Sequence, residues 1–182
     1  LDAGAQVTLI TTPTALTPPV GANIVNVESA KQMLEAVLKE SDGCDALIMA
    51  AAVADFRPQN TAKDKIKKEG GVPQIELEAT EDILKTVSAP GLTRSGQRQR
   101  PKVVAGFAAE SQSLLENAVN KLQSKNLDLI AANDISADDA GFAVETNRIT
   151  LLFANGQKES LSLMSKTEAA EIIIERIAAL LE

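Results

Sequence analysis

The sequence predicts an α/β protein with a mostly parallel sheet and helices on both faces, and three observations carry this prediction. Apolar runs of strand length alternate along the chain with segments whose apolar residues recur at helical spacing. One run, at residues 45–54, is apolar at almost every position, as in a strand that helices cover on both faces. Ser29 with Gln32, and Ser165 with Glu168, form the S-x-x-Q and S-x-x-E patterns typical of helix N-termini. Such alternation implies right-handed crossovers and parallel neighbouring strands.

The first half of the chain is expected to open at the end of a helix. The letters LDAG at residues 1–4 end on a glycine stop. The elements expected next are a strand at about 6–11, a short strand within 22–29, a helix from Ser29 to about Ser41, and the apolar strand at 45–54. Because the sequence opens inside a structural unit, we expect a first strand, its turn and most of a helix to precede residue 1.

The second half repeats this rhythm and ends differently. Its expected elements are an exposed alternating strand at 70–80, a short helix from Thr80, a strand at 102–109, a helix from Ser111 to about Lys125, a strand at 127–134, a hairpin turning at Asn155-Gly156, and a helix from Ser165. The loop before the strand at 102–109 carries three arginines expected to be solvated, Arg94, Arg98 and Arg100. The fold is therefore predicted to be Rossmann-like with a C-terminal hairpin and helix, in one domain over residues 1–182.

Composition excludes several classes of function. Of the 182 residues, 45% are hydrophobic and 24% charged, which is ordinary for a globular protein of the cytoplasm. No apolar run approaches the ~18 residues of a membrane span. The net charge of −7 argues against a general nucleic-acid binder. With no histidine and a single cysteine, Cys44, triads that use histidine and Cys/His zinc sites are excluded.

Three predicted strands end alike, in small residues followed by a polar one. These ends are Ala50–Asp55, Gly106–Glu110 and Ala131–Asp134. Ligands of open parallel sheets bind beyond the carboxyl ends of the strands, and small side chains let a ligand approach the backbone. For one strand, close packing of a helix on the sheet is an equal alternative, but three together favour a shared crevice. Phe107 lies at one of these ends, where its ring could pack on a base or in the core.

Lysines concentrate directly after the first of these strand ends. Four follow Asp55 closely enough for their loop to fold back over the crevice: Lys63, Lys65, Lys67 and Lys68. Lysine is a compact point charge suited to phosphate, although such a cluster standing alone is usually a solvated patch. Lys121 and Lys125 lie four residues apart on one face of a predicted helix and could also reach phosphates.

Four motifs resemble the synthetase domain of bacterial phosphopantothenate-cysteine ligase, also called phosphopantothenoylcysteine synthetase. They are AAVADFRP at 51–58, KIKK at 65–68, GFAAE at 106–110 and AAND at 131–134, in the family's order and with similar spacing. The combination of AAVADFRP and KIKK is the specific part. The resemblance covers nearly all 182 residues, but the family's first strand and its Gly/Asn-containing loop would precede residue 1. We therefore expect an N-terminally truncated domain with weakened nucleotide binding or slow turnover.

The resemblance implies a reaction and a set of site residues. The family joins 4′-phosphopantothenate and L-cysteine into 4′-phosphopantothenoylcysteine, using CTP through an acyl-cytidylate, with Mg²⁺ of unknown ligands. It implies that Lys65 is catalytic. The implied nucleotide contacts are Met49, Ala50, Ala51, Asp55, Lys65, Glu81, Asp82, Ile83, Leu84, Phe107, Lys121 and Lys125, and Asn133 is a candidate for binding substrate.

Partners follow from the same resemblance. The family is dimeric, and the strand at 70–80 is a suitable place for exchange between protomers. A flavin-dependent decarboxylase is often fused to this domain in coenzyme A biosynthesis. Two other classes stay open: an NAD(P)-dependent Rossmann oxidoreductase, although no G-x-G-x-x-G occurs in the sequence, and a non-catalytic nucleotide-binding dimer module.

Overall fold

The computed structural model describes residues 1–60, 64, 65, 67, 72–89, 99–110, 113–136 and 144–182. The strands of the first half are β1 Thr8–Thr11, β2 Asn23–Asn26, β3 Ala46–Met49, β4 Phe56–Pro58 and β5 Leu77–Ala79. Those of the second half are β6 Val103–Glu110, β7 Leu129–Asp134, β8 Thr146–Asn147, β9 Ile149–Phe153, β10 Lys158–Ser160 and β11 Met164–Ser165. The helices are α1 Ala30–Glu40, α2 Ile83–Ser88, α3 Leu114–Ser124 and α4 Lys166–Leu181.

The central sheet has five strands in the order β10-β9-β7-β6-β3. The β3, β6 and β7 strands are parallel, whereas β9 and β10 add to the β7 side as an antiparallel hairpin. A separate parallel pair joins β1 to β2. Within the described residues, β1 and β3 each pair along one edge only. The predicted α/β class with a C-terminal hairpin and helix is confirmed.

Helices cover both faces of this sheet, as predicted. On one face α4 buries Ala169, Ile173 and Ile177 against β6, β7 and β9. On the other face α3 packs its Ala118 and Leu122. The first helix, α1, packs against α2 and also against partly buried side chains of β1, β2 and β3. Thus α1 joins the two parallel sheets into one layer.

Both predicted capping boxes are confirmed. Ser29 accepts from the Gln32 amide at the start of α1, and the Gln32 side chain accepts from the Ser29 amide. Ser165 and Glu168 make the same reciprocal pair at the start of α4. Glu168 is exposed, and the Ser165 hydroxyl and then its amide, as donors, lower the pKa of Glu168. These pairs fix the first turn of each helix.

The strand predicted at residues 45–54 is shorter and less buried than expected. It ends at Met49, and Ile48 keeps 40% of its surface exposed. The reason is position, because β3 is the last paired strand on its side of the described sheet and is not covered on both faces. The helix expected from Ser111 also differs, since β6 runs to Glu110 and α3 begins at Leu114.

Arg100 contradicts the expectation of a solvated charge. Its Nη2 lies 2.7 Å from Asp128 Oδ2 and donates to the carbonyl of Asn126 at 2.8 Å. The same Asp128 oxygen accepts from the Val104 amide at 2.7 Å. Arg100 therefore ties its loop to the amino ends of β6 and β7, because Asp128 offers a half-buried carboxylate there. Arg94 and Arg98 lie outside the described residues.

A two-stranded antiparallel ribbon, β4 with β5, stands apart from the central sheet. Its register pairs Phe56 with Ala79, Arg57 with Glu78 and Pro58 with Leu77. An ion pair of 2.7 Å joins Arg57 to Glu78 across the ribbon. The predicted strand at 70–80 thus narrows to Leu77–Ala79. No helix in the described residues has the length and apolar character needed to cross a bilayer.

Candidate functional site

The three small-residue strand ends lie side by side, as the sequence predicts. Met49 is the register partner of Gly106, and Phe107 is the partner of Ala131 on the other side of β6. Beyond Met49 the chain leaves the sheet at Ala50 and Ala51, both exposed. Because β6 continues past the end of β3, its last residues form one side of an open step at the carboxyl edge. At Ala50 and Ala51, a ligand can reach backbone atoms past small side chains.

Asp55 is held next to the turn that starts α2. The Thr80 amide donates to the Asp55 carbonyl at 2.9 Å, and the Thr80 hydroxyl donates to the Ala54 carbonyl. Thr80 immediately precedes Glu81, so two predicted nucleotide segments, Asp55 and 81–84, are adjacent. The Asp55 side chain is exposed. Sequence reasoning missed Thr80, whose only signal is its place before an acidic helix start.

Lys65 lies on the excursion between the two strands of the ribbon. The ribbon begins directly after Asp55, and a bond of 2.9 Å from the Gln59 amide to the Glu76 carbonyl extends it. Lys65 and Lys67 are exposed. The ribbon therefore joins the α2 turn at its Asp55–Thr80 end, and the excursion leaves and rejoins it at the opposite end, beyond Gln59 and Glu76. Lys63 and Lys68 lie outside the described residues, as does Ile66 between the described lysines.

The α2 turn divides its residues between the core and the surface. Asp82 is the N-cap, and its Oδ1 accepts from the Lys85 amide at 3.1 Å. Glu81 is exposed, whereas Ile83 and Leu84 are buried. The side chains of Ile83 and Leu84 belong to the core beneath the turn. A ligand at this turn can therefore meet only main-chain atoms of these two residues.

Lys125 is brought to the same turn from the end of α3. Its Nζ lies 2.9 Å from Asp82 Oδ2, and both side chains are partly exposed. Burial raises the pKa of Asp82, but bonds from the Lys85 amide and Lys125, with the charges of both lysines, outweigh it and lower that pKa. Asp82 is therefore held as a carboxylate. Lys121, one turn earlier on α3, is half-buried.

Phe107 does not pack in the core, since 37% of its surface is exposed. Alternation along β6 places it on the side of Val103 and Ala105, which pack against α4. Leu84 packs against the opposite face of the sheet. Phe107 and the α2 turn are therefore on different faces, and the strand-end step lies between them. Met49 is half-buried and packs towards α1 and α2.

Asn133 is already engaged within the fold. Its Nδ2 donates to Asn147 Oδ1 at 3.2 Å, and its Oδ1 accepts from the Arg148 amide at 3.3 Å. These contacts tie the end of β7 to the strands that follow it. One amide N–H and one lone pair are left beyond these two contacts. The predicted role of Asn133 in binding substrate stays a prediction.

Neighbouring Asp134 also closes a local turn. Its Oδ1 accepts from the hydroxyl and the amide of Ser136 at 2.6 Å and 2.9 Å. The Ser136 hydroxyl, then its amide, lower the pKa of Asp134, so it stays ionised. Among the residues that the structure describes, no three carboxylates or thiols gather as a metal site.

Comparison with known proteins assigns a family. The model of the DNA/pantothenate metabolism flavoprotein C-terminal domain matches residues 1–181. The coenzyme A biosynthesis bifunctional protein CoaBC of Bacillus subtilis is 43% identical over 178 residues, which are 97% of this chain and 42% of that protein. CoaBC of Vibrio cholerae is also 43% identical, over 96% of this chain and 42% of the relative. The chain thus spans less than half the length of these relatives.

Solved structures agree with this assignment. The crystal structure of the C-terminal domain of CoaBC superposes with a TM-score of 0.77 at 37% identity, over 99% of this chain and 76% of that one. A Cab2 mutant in complex with phosphopantothenate-cysteine shares the fold alone, with a TM-score of 0.61 at 16% identity over 88% and 53% of the chains. The chain belongs to the family of DNA/pantothenate metabolism flavoprotein C-terminal domains.

Proposed function

We propose that this chain is the synthetase part of a phosphopantothenate-cysteine ligase that uses CTP in coenzyme A biosynthesis. The observation that carries the proposal is the joining of Asp55, the 81–84 turn and Lys125 beside the small-residue strand ends. Similarity to CoaBC at 43% identity supports the same reaction. The solved Cab2 mutant, which shares the fold, carries phosphopantothenate-cysteine in its crystal.

The reaction proposed for this site has two steps. A carboxylate oxygen of 4′-phosphopantothenate attacks the α-phosphorus of CTP, and the bond to the β-phosphate breaks, which releases pyrophosphate. The cysteine amine then attacks the acyl carbon of the acyl-cytidylate, loses a proton to water and expels CMP. The first step replaces a poor leaving group with a good one. Neither step needs a histidine or a thiolate of the protein, in keeping with the composition.

The charges of the described residues suit this chemistry. Bringing a triphosphate to a phosphorylated carboxylate accumulates negative charge, which positively charged lysines offset. We assign Lys65 to the reacting phosphates and Lys125 to the nucleotide held at the α2 turn. Ala50, Ala51, the main chain of Ile83 and Leu84, and the Phe107 ring are assigned to the ribose and base. Lys121 and Glu81 are assigned to the rim of the same site.

The described residues fit a Mg²⁺ ion that is bound chiefly by the triphosphate. It typically keeps one or two carboxylate ligands together with substrate phosphates and waters, so a dedicated cluster is not required. Asp55, whose side chain is exposed beside the α2 turn, is the residue that would hold it. When bound, the ion would neutralise charge on the phosphates.

We further propose a homodimer formed through the β4–β5 ribbon. One face of the ribbon carries Phe56, Pro58, Leu77 and Ala79, and Phe56 and Leu77 are 63% and 61% exposed. A two-stranded ribbon is marginal by itself and gains stability when such a face is covered. A second copy is the occupant we favour, because the excursion bears lysines and the chain as a whole is acidic. Sedimentation that gives a monomer at micromolar concentration would contradict this.

Two further proposals concern the parent protein. A flavin-dependent decarboxylase is proposed to share the parent chain, since CoaBC is a bifunctional protein more than twice as long as the matched region. A further parallel strand is proposed to pair with both β1 and β3, because each has a partner on one edge only among the described residues and both pack against α1. This strand would carry the Gly/Asn-containing loop of the family.

The test is product formation. The chain, and a form extended at its N-terminus, are incubated with CTP, Mg²⁺, 4′-phosphopantothenate and cysteine, while pyrophosphate release and product mass are followed. The proposal expects release that depends on phosphopantothenate, and a product with the mass of phosphopantothenoylcysteine. Nucleotide binding without pyrophosphate release in either form would instead support the non-catalytic module. A nicotinamide absorbance change would support the oxidoreductase.

A further inference from the structure

Two carboxylate oxygens of Asp82 have different partners. Oδ1 accepts from the Lys85 amide at 3.1 Å and caps α2, whereas Oδ2 lies 2.9 Å from the Nζ of Lys125. The side chains of Lys125 and Asp82 are 29% and 39% exposed. One residue therefore caps the start of α2 within the 81–84 turn and holds a cation that comes from the end of α3.

The ends of α2 and α3 are joined at a second point. Asn126, in a left-handed conformation with φ of 50°, follows Lys125, and its Nδ2 donates to the Ser88 carbonyl at 3.3 Å. The backbone at Lys125 is thus anchored to the far end of α2. What stays adjustable is the long lysine side chain, and Asp82 fixes its tip. Two contacts at opposite ends of α2 therefore hold the helices together.

The turn that carries Asp82 is also fixed from below. A Cβ added at Gly106 would lie 3.2 Å from Leu84 Cδ1 and 2.9 Å from Leu127 Cδ1. The absence of a side chain at Gly106 lets Leu84 of α2 and Leu127, just before β7, pack closely on β6. Because Leu84 is buried, the first turn of α2 has little room to shift. Asp82 therefore presents its carboxylate from a nearly rigid position.

We propose that Asp82 is a positioning residue for the nucleotide. It keeps the Lys125 ammonium against the 81–84 turn. The turn and the ammonium are therefore already in place when the nucleotide binds. Lysine has three N–H donors, and Asp82 uses one of them, which leaves donors for a phosphate oxygen. This inference rests on the proposed function, since it takes a nucleotide as the ligand of the turn. The opposite role, a carboxylate that withholds Lys125 from the ligand, predicts the reverse effect of substitution.

The test compares four variants by calorimetric titration with Mg²⁺-CTP and by steady-state kinetics. Asp82→Asn keeps an oxygen for the Lys85 amide and removes the charge that holds Lys125. We expect it to weaken CTP binding about three- to fivefold, the size of an exposed ion-pair coupling. Lys125→Met should weaken binding about tenfold or more, and the double variant should be no worse than Lys125→Met. Asp45→Asn, which breaks an exposed 2.9 Å pair with Lys102, is the matched control and should change nothing.

The readouts separate positioning from a structural role. Positioning predicts a raised KM for CTP with kcat changed less than about twofold in Asp82→Asn, because a ground-state contact is lost. A lower melting temperature with unchanged CTP affinity, tighter binding, or effects that multiply in the double variant would each overturn the inference. If the unsubstituted protein, also when extended at its N-terminus, binds no CTP, the proposed function itself fails. Weak binding in Lys125→Met with normal binding in Asp82→Asn refutes the inference alone.

Discussion

The two ends of the parallel strands use their polar groups differently. At the amino ends, the Asp128 carboxylate is occupied by the Val104 amide and by Arg100, which also donates to main-chain carbonyls. At the carboxyl ends, Asp55 extends an exposed side chain, and Ala50 and Ala51 leave the backbone open. At the amino ends the charges of Asp128 and Arg100 hold the fold, whereas at the carboxyl ends the charge of Asp55 is one that a ligand can still reach. The difference predicts where substitution costs stability and where it costs function.

The largest effect is expected for Lys65→Gln at the carboxyl end. Removing a cation that offsets charge in the transition state should lower kcat about 10²- to 10³-fold. The melting temperature should not change, because Lys65 is exposed. Steady-state kinetics of CTP-dependent ligation measure the fall in kcat. Lys67→Gln removes the same charge two residues away and serves as the control. Equal losses in both variants would show that only the total charge of the excursion matters.

The amino end is expected to respond in stability alone. Asp128→Ala leaves the half-buried Arg100 without its carboxylate and the buried Val104 amide without its acceptor. The unfolding free energy should fall by about 3 kcal/mol. Urea denaturation measures this, with Asp45→Ala at an exposed pair as a control expected within about 0.5 kcal/mol. A loss of CTP affinity in the folded Asp128→Ala protein would contradict the claim that the amino end contributes to stability and not to nucleotide binding.

Gly106→Ala is expected to lower both the stability of the protein and its affinity for CTP moderately. The new Cβ would meet Leu127 Cδ1 at 2.9 Å and Leu84 Cδ1 at 3.2 Å, and both atoms are ends of flexible side chains. Overpacking of this kind should cost about 1–2 kcal/mol. It should also weaken CTP binding, since Leu84 carries the α2 turn. Adding Leu127→Val should restore part of the lost stability. A double variant that loses the full sum of the two single effects would contradict this packing account.

The smallest effect concerns the dependence of stability on pH. Although burial raises the pKa of Asp82, bonds from the Lys85 amide and Lys125 outweigh it and lower that pKa below its ordinary value in the folded protein. The folded state therefore binds this proton less readily than the unfolded chain does. The resulting stability is complete above the ordinary pKa and is lost as pH falls through the lowered one.

Urea titrations of the unsubstituted protein and Asp82→Asn, from about pH 6 to about pH 3, measure that contribution. The difference in unfolding free energy between the two proteins should shrink towards acid pH. Taking this difference removes the common effect of Asp134, Glu159 and Glu168, whose pKa values are also lowered. A difference that stays constant over this range would contradict the assigned ionisation of Asp82.

The sequence predicts local features of the fold well because they depend on neighbouring residues. The capping boxes at Ser29 and Ser165 and the hairpin turn at Asn155-Gly156 are each settled within a few residues, and Gly156 has a φ of 86° as such a turn requires. What failed depends on long-range neighbours. The local sequence predicts that Arg100 is a solvated loop charge. Its actual environment depends on Asp128, which is 28 residues away in the sequence. The predicted burial of the strand at 45–54 was too high, because the residues of a strand do not determine its position in the sheet.

For the site, motif resemblance and structure supply different things. The motif AAVADFRP contains Asp55, and the resemblance implies the 81–84 turn and Lys125. The strand alternation explains why their elements meet at one side of the sheet. The ion pair from Asp82 to Lys125 could not be predicted, because it spans 43 positions and depends on how α2 settles on Gly106. The role of Thr80 was missed for the same reason, whereas close packing of a helix at strand ends such as Gly106 was one of two expected alternatives. Both residues act through contacts with distant segments.

Calorimetric titration with Mg²⁺-CTP and, separately, Mg²⁺-ATP tests the central claim most directly. The proteins compared are this chain, its N-terminally extended form and, in each, Asp55→Ala and Asp128→Asn. The account predicts selective CTP binding that Asp55→Ala weakens and that Asp128→Asn leaves intact in the folded protein. Equal weakening of CTP binding by both substitutions, or a CTP affinity unchanged by Asp55→Ala, would contradict a nucleotide site at the carboxyl ends of the strands.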